Sequence, residues 1–319
     1  MTDDSDPLGS GPPVEAFAAA AALVEPEARL LAVRTLPGGL SAQITVLELL
    51  GPDDRPRRLV VRRARSQQAQ RARLSIADQF SLLLRLHPLE LPTPTPRLLD
   101  DSGTIFTEPY SVFDYVDGAP VTTSSDPAET GRAFATQLAA VHRVDLTLMA
   151  PVVLPDRADN VARDLASAPP VVDERMREGL VRRLLGDRWP PPAPDRTTLL
   201  HGDFWAGNIL WRDGAIVAVI DWEEAGTGDP LADVATTRLD LLWAYGAGAV
   251  SAFTDHYFFL TELDRAPLAV WDLAAALRPA GNLSLWAADW ADFGRPDIDA
   301  SRLRADHRSF LDQALEALG

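Results

Sequence analysis

The spacing of the apolar residues changes near residue 117, and this change limits the folds open to the chain. Before it, short apolar runs separated by Gly, Pro and Asp turns predict an antiparallel sheet. The predicted strands cover residues 29–36, 43–50, 58–63, 96–99 and 105–113, with helices over residues 14–24 and 76–86. After it, helical patterns dominate. We therefore predict a bilobal α+β fold with a small antiparallel-sheet N-lobe and a mostly helical C-lobe.

Helix start signals locate the main elements of the second half. Asp126-Pro127-Ala128-Glu129 combines an N-cap, a Pro at the first helical position and a Glu that reaches back to the cap. A helix is therefore predicted from this motif to His142. Another is predicted over residues 160–185. Three to five more should follow Leu231, the last of them over residues 301–318.

The length and composition describe a globular protein of two domains. The 319 residues suffice for two domains, and 46% hydrophobic with 24% charged residues indicates sizeable cores. The predicted divisions are a mobile tail at residues 1–13, an N-lobe at 14–117 and a C-lobe at 118–319. Because the chain contains no cysteine, disulfides, Cys-ligated zinc and thiol catalysis are excluded. An acidic start and apolar runs too short to cross a bilayer predict a soluble, cytoplasmic protein.

Charge is distributed unevenly along the chain. The net charge of −16 argues against a nucleic-acid partner. Residues 55–73 contain eight arginines, whereas residues 221–300 contain 14 Asp and Glu against 4 Arg. The first segment suits anionic phosphates and the second suits a cation. The alternative interpretation is that an acidic surface keeps the protein soluble.

The residues that carry chemistry cluster between the two helical blocks. Asp203 and Asn208 share one loop, and Asp221 begins the next. The Asp213-Gly214 turn should fold the intervening strands into a hairpin, which places Asn208 and Asp221 at the same end of it. One carboxylate can take a hydroxyl proton, while two further oxygens can hold a cation on a phosphate. This set indicates phosphoryl transfer to a hydroxyl.

These motifs resemble the aminoglycoside phosphotransferase and choline kinase superfamily, relatives of the protein kinases. The resemblance lies in His201-x-Asp203-x4-Asn208, in Asp221-Trp222, and in Gly228-Asp229-Pro230-x-x-Asp233. It implies a kinase-like fold and a Mg²⁺-dependent transfer of the γ-phosphoryl group of ATP or GTP to a small hydroxylated acceptor. In this resemblance Asp203 is the catalytic base, and Asn208 and Asp221 are the magnesium ligands.

The resemblance also implies where the nucleotide binds. Gly38-Gly39-Leu40-Ser41 is similar to the loop that covers the phosphates, and residues 113–118 are similar to the segment that receives adenine through its backbone. The residues implied to contact the nucleotide are Gly38, Gly39, Ser41, Val60, Arg62, Asp114, Tyr115, Val116, Leu210 and Ile220.

The chain departs from the family pattern at the residue that grips the phosphates. Kinases of this kind carry a Lys on the third strand, paired with a helical Glu, but this chain contains no lysine, and its 30 basic residues are all arginine. Strand alternation places Arg62 on the same face as Val60, so Arg62 is predicted to replace the Lys. Gln79 stands at the position of the Glu, and the neighbouring Asp78 is an alternative partner.

Several residues admit two interpretations. His201 is expected to be structural rather than a second base, and His142 to compensate the dipole of its helix end. Asp229 either orients the catalytic loop, which is the loop that contains Asp203 and Asn208, or caps the following helix. The tryptophans at 243, 271, 286 and 290 are expected to pack in the core rather than to line a substrate cleft.

The alternatives for the whole chain are also open. One is a pseudokinase that binds nucleotide without turnover, and another is a metabolic kinase for a sugar or a choline-like alcohol. A protein kinase is disfavoured because helix-forming sequence resumes soon after Asp233. The acidic helices suit an aminoglycoside or another antibiotic as acceptor. The sequence leaves the acceptor, the choice between ATP and GTP, and the oligomeric state open.

Overall fold

The computed structural model describes residues 12–36, 42–64, 73–167 and 169–319. The chain divides into two compact units. One comprises the described residues up to His87 together with Pro94–Tyr115, and the other comprises Pro88–Thr93 and Val116–Gly319. The mobile tail predicted for residues 1–13 lies almost wholly outside the described residues. Within the described ranges, no helix has the length and apolar character needed to span a bilayer.

The first unit is built on a five-stranded antiparallel sheet in the order β1-β2-β3-β5-β4. Its strands are β1 (Arg29–Thr35), β2 (Ala42–Leu50), β3 (Pro56–Ala64), β4 (Pro96–Asp100) and β5 (Tyr110–Asp114). Helices α1 (Val14–Val24) and α2 (Ile76–Leu86) complete this unit and have the predicted bounds. The second unit is mostly helical, and the predicted α+β class is therefore confirmed.

The fifth strand is shorter than predicted. It begins at Tyr110 rather than Ile105, because a turn precedes it. In this turn the Asp100 side chain accepts the N–H of Ser102, and the Ser102 hydroxyl accepts the N–H of Thr104. Phe106 is buried all the same, with its ring centroid 4.8 Å from that of Tyr110 and 5.2 Å from that of Phe17 on α1. The apolar residues that suggested a strand there therefore belong to a loop that supplies the core.

Alternation along β3 separates two kinds of side chain. Val61 and Arg63 are buried, whereas Val60 and Arg62 are partly exposed on the opposite face. The Arg63 guanidinium lies 4.9 Å from the ring centroid of Phe106, and its burial lowers the pKa of this arginine. The face that carries Arg62 is consequently the one available to a ligand.

The second unit contains the remaining helices and small sheets. Its helices are α3 (Pro127–His142), α4 (Arg157–Ala166), α5 (Glu178–Arg188), α6 (Leu231–Tyr245), α7 (Ala247–Thr261), α8 (Leu268–Leu277), α9 (Leu283–Asp292) and α10 (Ala300–Ala317). Its strands are β6 (Ala119–Pro120), β7 (Thr198–Leu200), β8 (Ile209–Arg212), β9 (Ala215–Val219) and β10 (Gly226–Gly228). The predicted N-cap of α3 is confirmed, because the Asp126 side chain accepts the N–H of Glu129 at 3.0 Å.

The single helix predicted over residues 160–185 is wrong. Two helices replace it, since α4 ends at Ala166 and α5 begins at Glu178. Pro169 and Pro170 follow α4 and cannot donate to a helical ladder. Asp173 then caps a short turn of 3₁₀ helix by accepting the N–H of Arg175 at 3.0 Å. The apolar periodicity continued through this break, which is why the prediction missed it.

Helices α3 and α7 approach closely at Gly131. A Cβ built on Gly131 would lie 2.3 Å from the carbonyl oxygen of Ala249 on α7. That separation is far below van der Waals contact, and the obstacle is backbone rather than a movable side chain. Gly131 is therefore required by the packing of the two helices.

The Gly131→Ala substitution is expected to destabilise the protein by about 1–3 kcal/mol, because the helices must move apart to admit the methyl group. The free energy of unfolding in urea measures the effect. Gly186→Ala is the matched control, since Gly186 lies within α5 and a Cβ there meets nothing within 4 Å. That control should be neutral or stabilising by up to about 1 kcal/mol. Equal stability of the two variants would contradict this account of the α3–α7 contact.

Candidate active site

The β8–β9 hairpin places Asn208 and Asp221 at one end, as its turn predicts. The turn residues Asp213 and Gly214 have φ values of 52° and 79°, the left-handed pair of a tight hairpin turn. At the open end, the N–H of Ile220 donates to the carbonyl of Asn208 at 2.9 Å. Asp221 follows directly, with a φ of 62°. Left-handed backbone at a non-glycine residue is uncommon, and Asp is among the residue types that adopt it most readily.

Asp203 is held through both of its carboxylate oxygens. The Asn208 Nδ2 group donates to Asp203 Oδ2 at 3.1 Å and to the Asp203 carbonyl at 2.9 Å. Arg278, which follows α8, donates from Nη2 to Asp203 Oδ1 at 2.8 Å. The Asp203 side chain keeps 30% of its surface exposed. The predicted base is thus fixed in orientation yet reachable from solvent.

The loop that carries Asp203 is anchored by Asp233. This buried carboxylate on α6 accepts the N–H of His201 at 2.7 Å and the N–H of Gly202 at 3.0 Å. Gly202 has a φ of +83°, and a Cβ there would lie 2.1 Å from the carbonyl oxygen of Glu224. Glycine is therefore the residue that this turn admits. Asp233 and Gly202 together set the direction in which the following Asp203 points.

A buried hydrogen-bond network surrounds Asp233. His142 Nε2 lies 3.3 Å from Asp233 Oδ2, and His142 Nδ1 lies 2.6 Å from the Tyr257 hydroxyl. Burial alone would raise the pKa of Asp233, but the hydrogen bonds from His142 and from the His201 N–H lower it. The carboxylate therefore stays ionised. His142, in the last turn of α3 as the sequence indicates, is also a member of this network.

His201 has a structural position. Its ring is fully buried, and Nε2 lies 3.0 Å from the carbonyl oxygen of Ile220. Burial lowers the pKa of His201, so the ring is neutral near pH 7. Its centroid is 4.6 Å from that of the buried Trp222. These contacts support the structural interpretation and tie the catalytic loop to the segment that carries Asp221.

Asp229 caps a helix and also fixes a distant tryptophan. Its Oδ1 accepts the N–H of Leu231 at 2.9 Å at the start of α6, and its Oδ2 accepts the indole N–H of Trp271 at 2.7 Å. Burial raises the pKa of Asp229. Of the four tryptophans expected in the core, three are buried and Trp286 is partly exposed. The Arg278 guanidinium lies 5.6 Å from the Trp286 ring centroid.

In the first unit, Arg62 is paired with Gln79 rather than with Asp78. Arg62 Nη1 donates to Gln79 Oε1, and Gln79 Nε2 donates to the Leu74 carbonyl at 2.9 Å. The second contact orients the amide so that its oxygen faces the arginine. Asp78 is engaged at the start of α2, where it accepts the Ser75 hydroxyl at 2.7 Å. Gln79 thus occupies the position of the helical Glu without its charge.

The other described residues implied to contact nucleotide lie in strands or directly beside them. On β3, Val60 pairs with Phe113. The Asp114 carboxylate accepts from Arg97 at 2.7 Å, and the Tyr115 N–H donates to the Arg58 carbonyl at 3.1 Å. In the second unit, Val116 precedes β6, Leu210 pairs with Ala218 in the β8–β9 hairpin, and Ile220 follows β9. Gly38, Gly39 and Ser41 lie outside the described residues.

The oxygens at the end of the hairpin fit a hard divalent cation. Because Asn208 Nδ2 donates to Asp203, the amide oxygen of Asn208 faces away from the base. Asp221 adds a carboxylate at the same end. Among the described residues, no three His, Asp or Glu side chains converge on a metal position. A cation held by Asn208 and Asp221 therefore needs further oxygen ligands, and Mg²⁺ is commonly bound by one or two side chains plus phosphate and water.

Sequence reasoning missed two residues that contact the catalytic loop. Asp233 belongs to a motif that resembles the family, but its role as the acceptor of two loop N–H groups was not assigned. Arg278 carries no local signal, since it lies 75 residues from Asp203 in the sequence and is brought to it by the packing of α8.

Comparisons with known proteins agree with this geometry. A model of the phosphotransferase enzyme family matches residues 32–271. Acyl-CoA dehydrogenase family member 10 of Mus musculus is 26% identical over 197 residues, which cover 57% of this chain and 18% of that protein. Viomycin phosphotransferase of Streptomyces vinaceus is 30% identical over 177 residues, or 50% of this chain and 61% of that enzyme. The matched stretch thus spans less than two thirds of either relative.

A solved structure shows the same fold along the whole chain. Choline kinase from Streptococcus pneumoniae superposes with a TM-score of 0.60, at 18% identity, over 96% of this chain and 98% of that one. The kinase-like fold implied by the sequence motifs is confirmed.

The Asp233→Asn substitution is expected to reduce stability by about 2–4 kcal/mol, because an amide group would face buried N–H donors that need an acceptor. Chemical unfolding measures this. Asp312→Asn is the matched control, since Asp312 pairs with Arg177 at a largely exposed site and should contribute less than about 1 kcal/mol. Losses of equal size would argue against Asp233 as the anchor of the loop.

Proposed function

Because the chain belongs to the phosphotransferase enzyme family, we propose that it transfers the γ-phosphoryl group of ATP or GTP to a hydroxyl of a small molecule. The observation that carries the proposal is the position of the Asp203 carboxylate. It is oriented by two donors, remains reachable from solvent, and lies beside the hairpin end that presents Asn208 and Asp221. Positioning of the reacting groups and electrostatic stabilisation are almost all that a protein contributes to this reaction.

Asp203 acts as the base in this proposal. A carboxylate oxygen has two lone-pair positions, so Asp203 can accept a hydroxyl while its two existing donors stay in place. The proton of the acceptor hydroxyl then passes to this carboxylate as the hydroxyl oxygen bonds to the γ-phosphorus, the bond to the β–γ bridging oxygen breaks, and the nucleoside diphosphate leaves. His201 is buried and neutral, with Nε2 beside a backbone carbonyl, and it therefore leaves this role to Asp203.

Asn208 and Asp221 would hold Mg²⁺ on the phosphates of the nucleotide. When bound, the ion neutralises charge on the phosphate oxygens. The backbone of Asp221 is left-handed, and its position is fixed because the N–H of the preceding Ile220 donates to the Asn208 carbonyl. The two ligands are thereby coupled, and displacement of one strand would misplace both.

Arg62 would bind the phosphates, with Gln79 as its support. A Lys–Glu pair carries no net charge, whereas Arg62 with Gln79 carries one positive charge. The Leu74 carbonyl keeps the Gln79 oxygen directed at the guanidinium. Arginine also presents several N–H groups to phosphate oxygens. The remaining contacts with the nucleotide would come from Gly38, Gly39, Ser41, Val60, Asp114, Tyr115, Val116, Leu210 and Ile220.

The acceptor is proposed to bind beside α9. Trp205 follows the base by two residues, and its ring centroid lies 5.4 Å from that of Trp290 and 5.2 Å from that of Phe293. Asp289 and Asp292 lie on the same helix. Aromatic and acidic groups together suit a cationic acceptor. Antibiotics such as viomycin, which a relative's name gives as a substrate, are the first acceptors to test.

The Asp203→Asn variant should bind Mg²⁺-ATP with a Kd within about threefold of wild type, yet lose at least about 100-fold in phosphoryl transfer, because the base is removed while Asn208 and Asp221 remain. Isothermal titration and radiolabel transfer from γ-labelled ATP measure the two properties. Aminoglycosides, viomycin, choline and hexoses form the acceptor panel. Wild-type binding without turnover on any acceptor, water included, would support a pseudokinase instead.

Replacement of Arg62 tests the phosphate contact. Arg62→Gln should raise the Kd for Mg²⁺-ATP by about 10- to 100-fold, since a charge-assisted hydrogen bond contributes about 1.5–3 kcal/mol. Arg55→Gln is the matched control, because Arg55 lies in the turn between β2 and β3 with 82% of its side chain exposed. That variant should bind as wild type does. Equal Kd values for the Arg62 and Arg55 variants would exclude Arg62 from the phosphate site.

A further inference from the structure

Arg278 reaches the proposed base from a part of the chain that the family motifs do not include. Its Nη2 donates to Asp203 Oδ1 at 2.8 Å, opposite the oxygen that accepts from Asn208. The Arg278 side chain is 24% exposed, and its Nη1 lies 3.6 Å from Asp240 Oδ2 on α6. Arg278 thus bridges one carboxylate in the loop and one in the neighbouring helix.

We propose that Arg278 is a positioning residue that fixes the Asp203 carboxylate in the orientation needed to accept the proton of the attacking hydroxyl. This inference rests on the proposed function and adds a residue to it. Asn208 alone holds one oxygen and leaves the carboxylate free to rotate about its Cβ–Cγ bond. The second donor, on the other oxygen, removes that freedom.

The chemistry of arginine suits this position. A guanidinium stays protonated across the working pH range, so it can donate to Asp203 without taking the proton that the base must accept. The oxygen that accepts from Arg278 also retains a lone-pair position for the hydroxyl. Arg278 therefore restricts the orientation of the Asp203 carboxylate, while Asp203 still accepts the proton.

The surroundings of Arg278 fix its own geometry. It directly follows α8, where its N–H donates to the Ala275 carbonyl. Asp240 lies on one side of the guanidinium and the Trp286 ring on another. Asp240 is buried, and burial raises its pKa to about 7. Helix α6 therefore carries both Asp233, which holds the loop that contains Asp203, and Asp240, which contacts Arg278.

A second ion pair between α6 and α8 supplies a matched control. Arg238 Nη2 lies 3.4 Å from Asp272 Oδ2, much as Arg278 lies 3.6 Å from Asp240. Asp272 is likewise buried with a pKa raised to about 7. Arg238 contacts Asp272, Thr254 and the Phe310 ring, and Asp203 is not among these partners. Removal of either arginine breaks one such pair, but only Arg278 is bonded to Asp203.

The experiment compares the wild-type protein with Arg278→Gln, Arg278→Lys and Arg238→Gln in acceptor-free hydrolysis of Mg²⁺-ATP. Water is then the attacking group: its oxygen bonds to the γ-phosphorus, the bond to the β–γ bridging oxygen breaks, and a water proton passes to Asp203. Arg278→Gln should lower kcat at least about 10-fold with KM for ATP within about twofold. Arg278→Lys should recover part of the loss, and Arg238→Gln should keep the wild-type kcat.

Three outcomes would overturn the proposal. One is an unchanged kcat in Arg278→Gln, and another is an increase, which would mean that Arg278 masks the base. The third is an equal loss in Arg238→Gln, which would mean that the helix pair matters rather than the contact with Asp203. If wild type neither hydrolyses more ATP than Asp203→Asn nor phosphorylates any acceptor of the panel, the proposed function itself fails. If it phosphorylates an acceptor but not water, the same variants are compared with that acceptor.

Thermal unfolding tests the contact without relying on turnover. If Asp203 and Arg278 are paired, the Tm losses of Asp203→Asn and Arg278→Gln should be non-additive in the double variant. Additive losses would overturn the pairing whatever the kinetics show. The Asp203→Asn and Arg238→Gln pair should be additive.

Discussion

The geometry of the catalytic loop depends on the buried carboxylate of Asp233. An ionised carboxylate in a protein interior must be compensated by hydrogen-bond donors, and here they are the N–H groups of His201 and Gly202 together with His142. These donors come from a loop and from α3, so one charge holds two distant parts of the second unit. Neither the backbone turn at Gly202 nor the direction of Asp203 would be specified without it.

The fold was predictable wherever a local signal determined the local structure. The alternation along β3, the cap at Asp126 and the Asp213-Gly214 turn each act within a few residues, and each has the predicted form. The two wrong predictions, the start of the fifth strand and the single helix over residues 160–185, arose where apolar spacing did not determine the backbone. At residues 105–108 and across residues 160–185, apolar spacing reported burial correctly, but a turn and a pair of prolines decided the backbone.

The candidate site follows the same division. Asp203 and Asn208 lie in the loop before the β8–β9 hairpin and Asp221 directly follows it, so their proximity could be deduced from the sequence. The choice of Gln79 over Asp78 required the structure, because the Asp78 carboxylate accepts the hydroxyl of the N-cap residue Ser75, whereas Gln79 accepts from Arg62. Arg278 could not be predicted at all. Its contact with Asp203 arises from the packing of α6 against α8, and such packing leaves no signature in the spacing of either segment.

The arginine on β3 has a practical consequence for how this protein can be detected. Reagents that identify nucleotide-binding enzymes by acylating a lysine amine near the phosphates find no lysine side chain in this chain. A guanidinium is protonated at the pH of such reactions and is a poor nucleophile. Labelling surveys that rely on lysine amines would therefore not detect this protein even when nucleotide is bound. Dicarbonyl reagents, which react with guanidinium groups, would be the suitable choice.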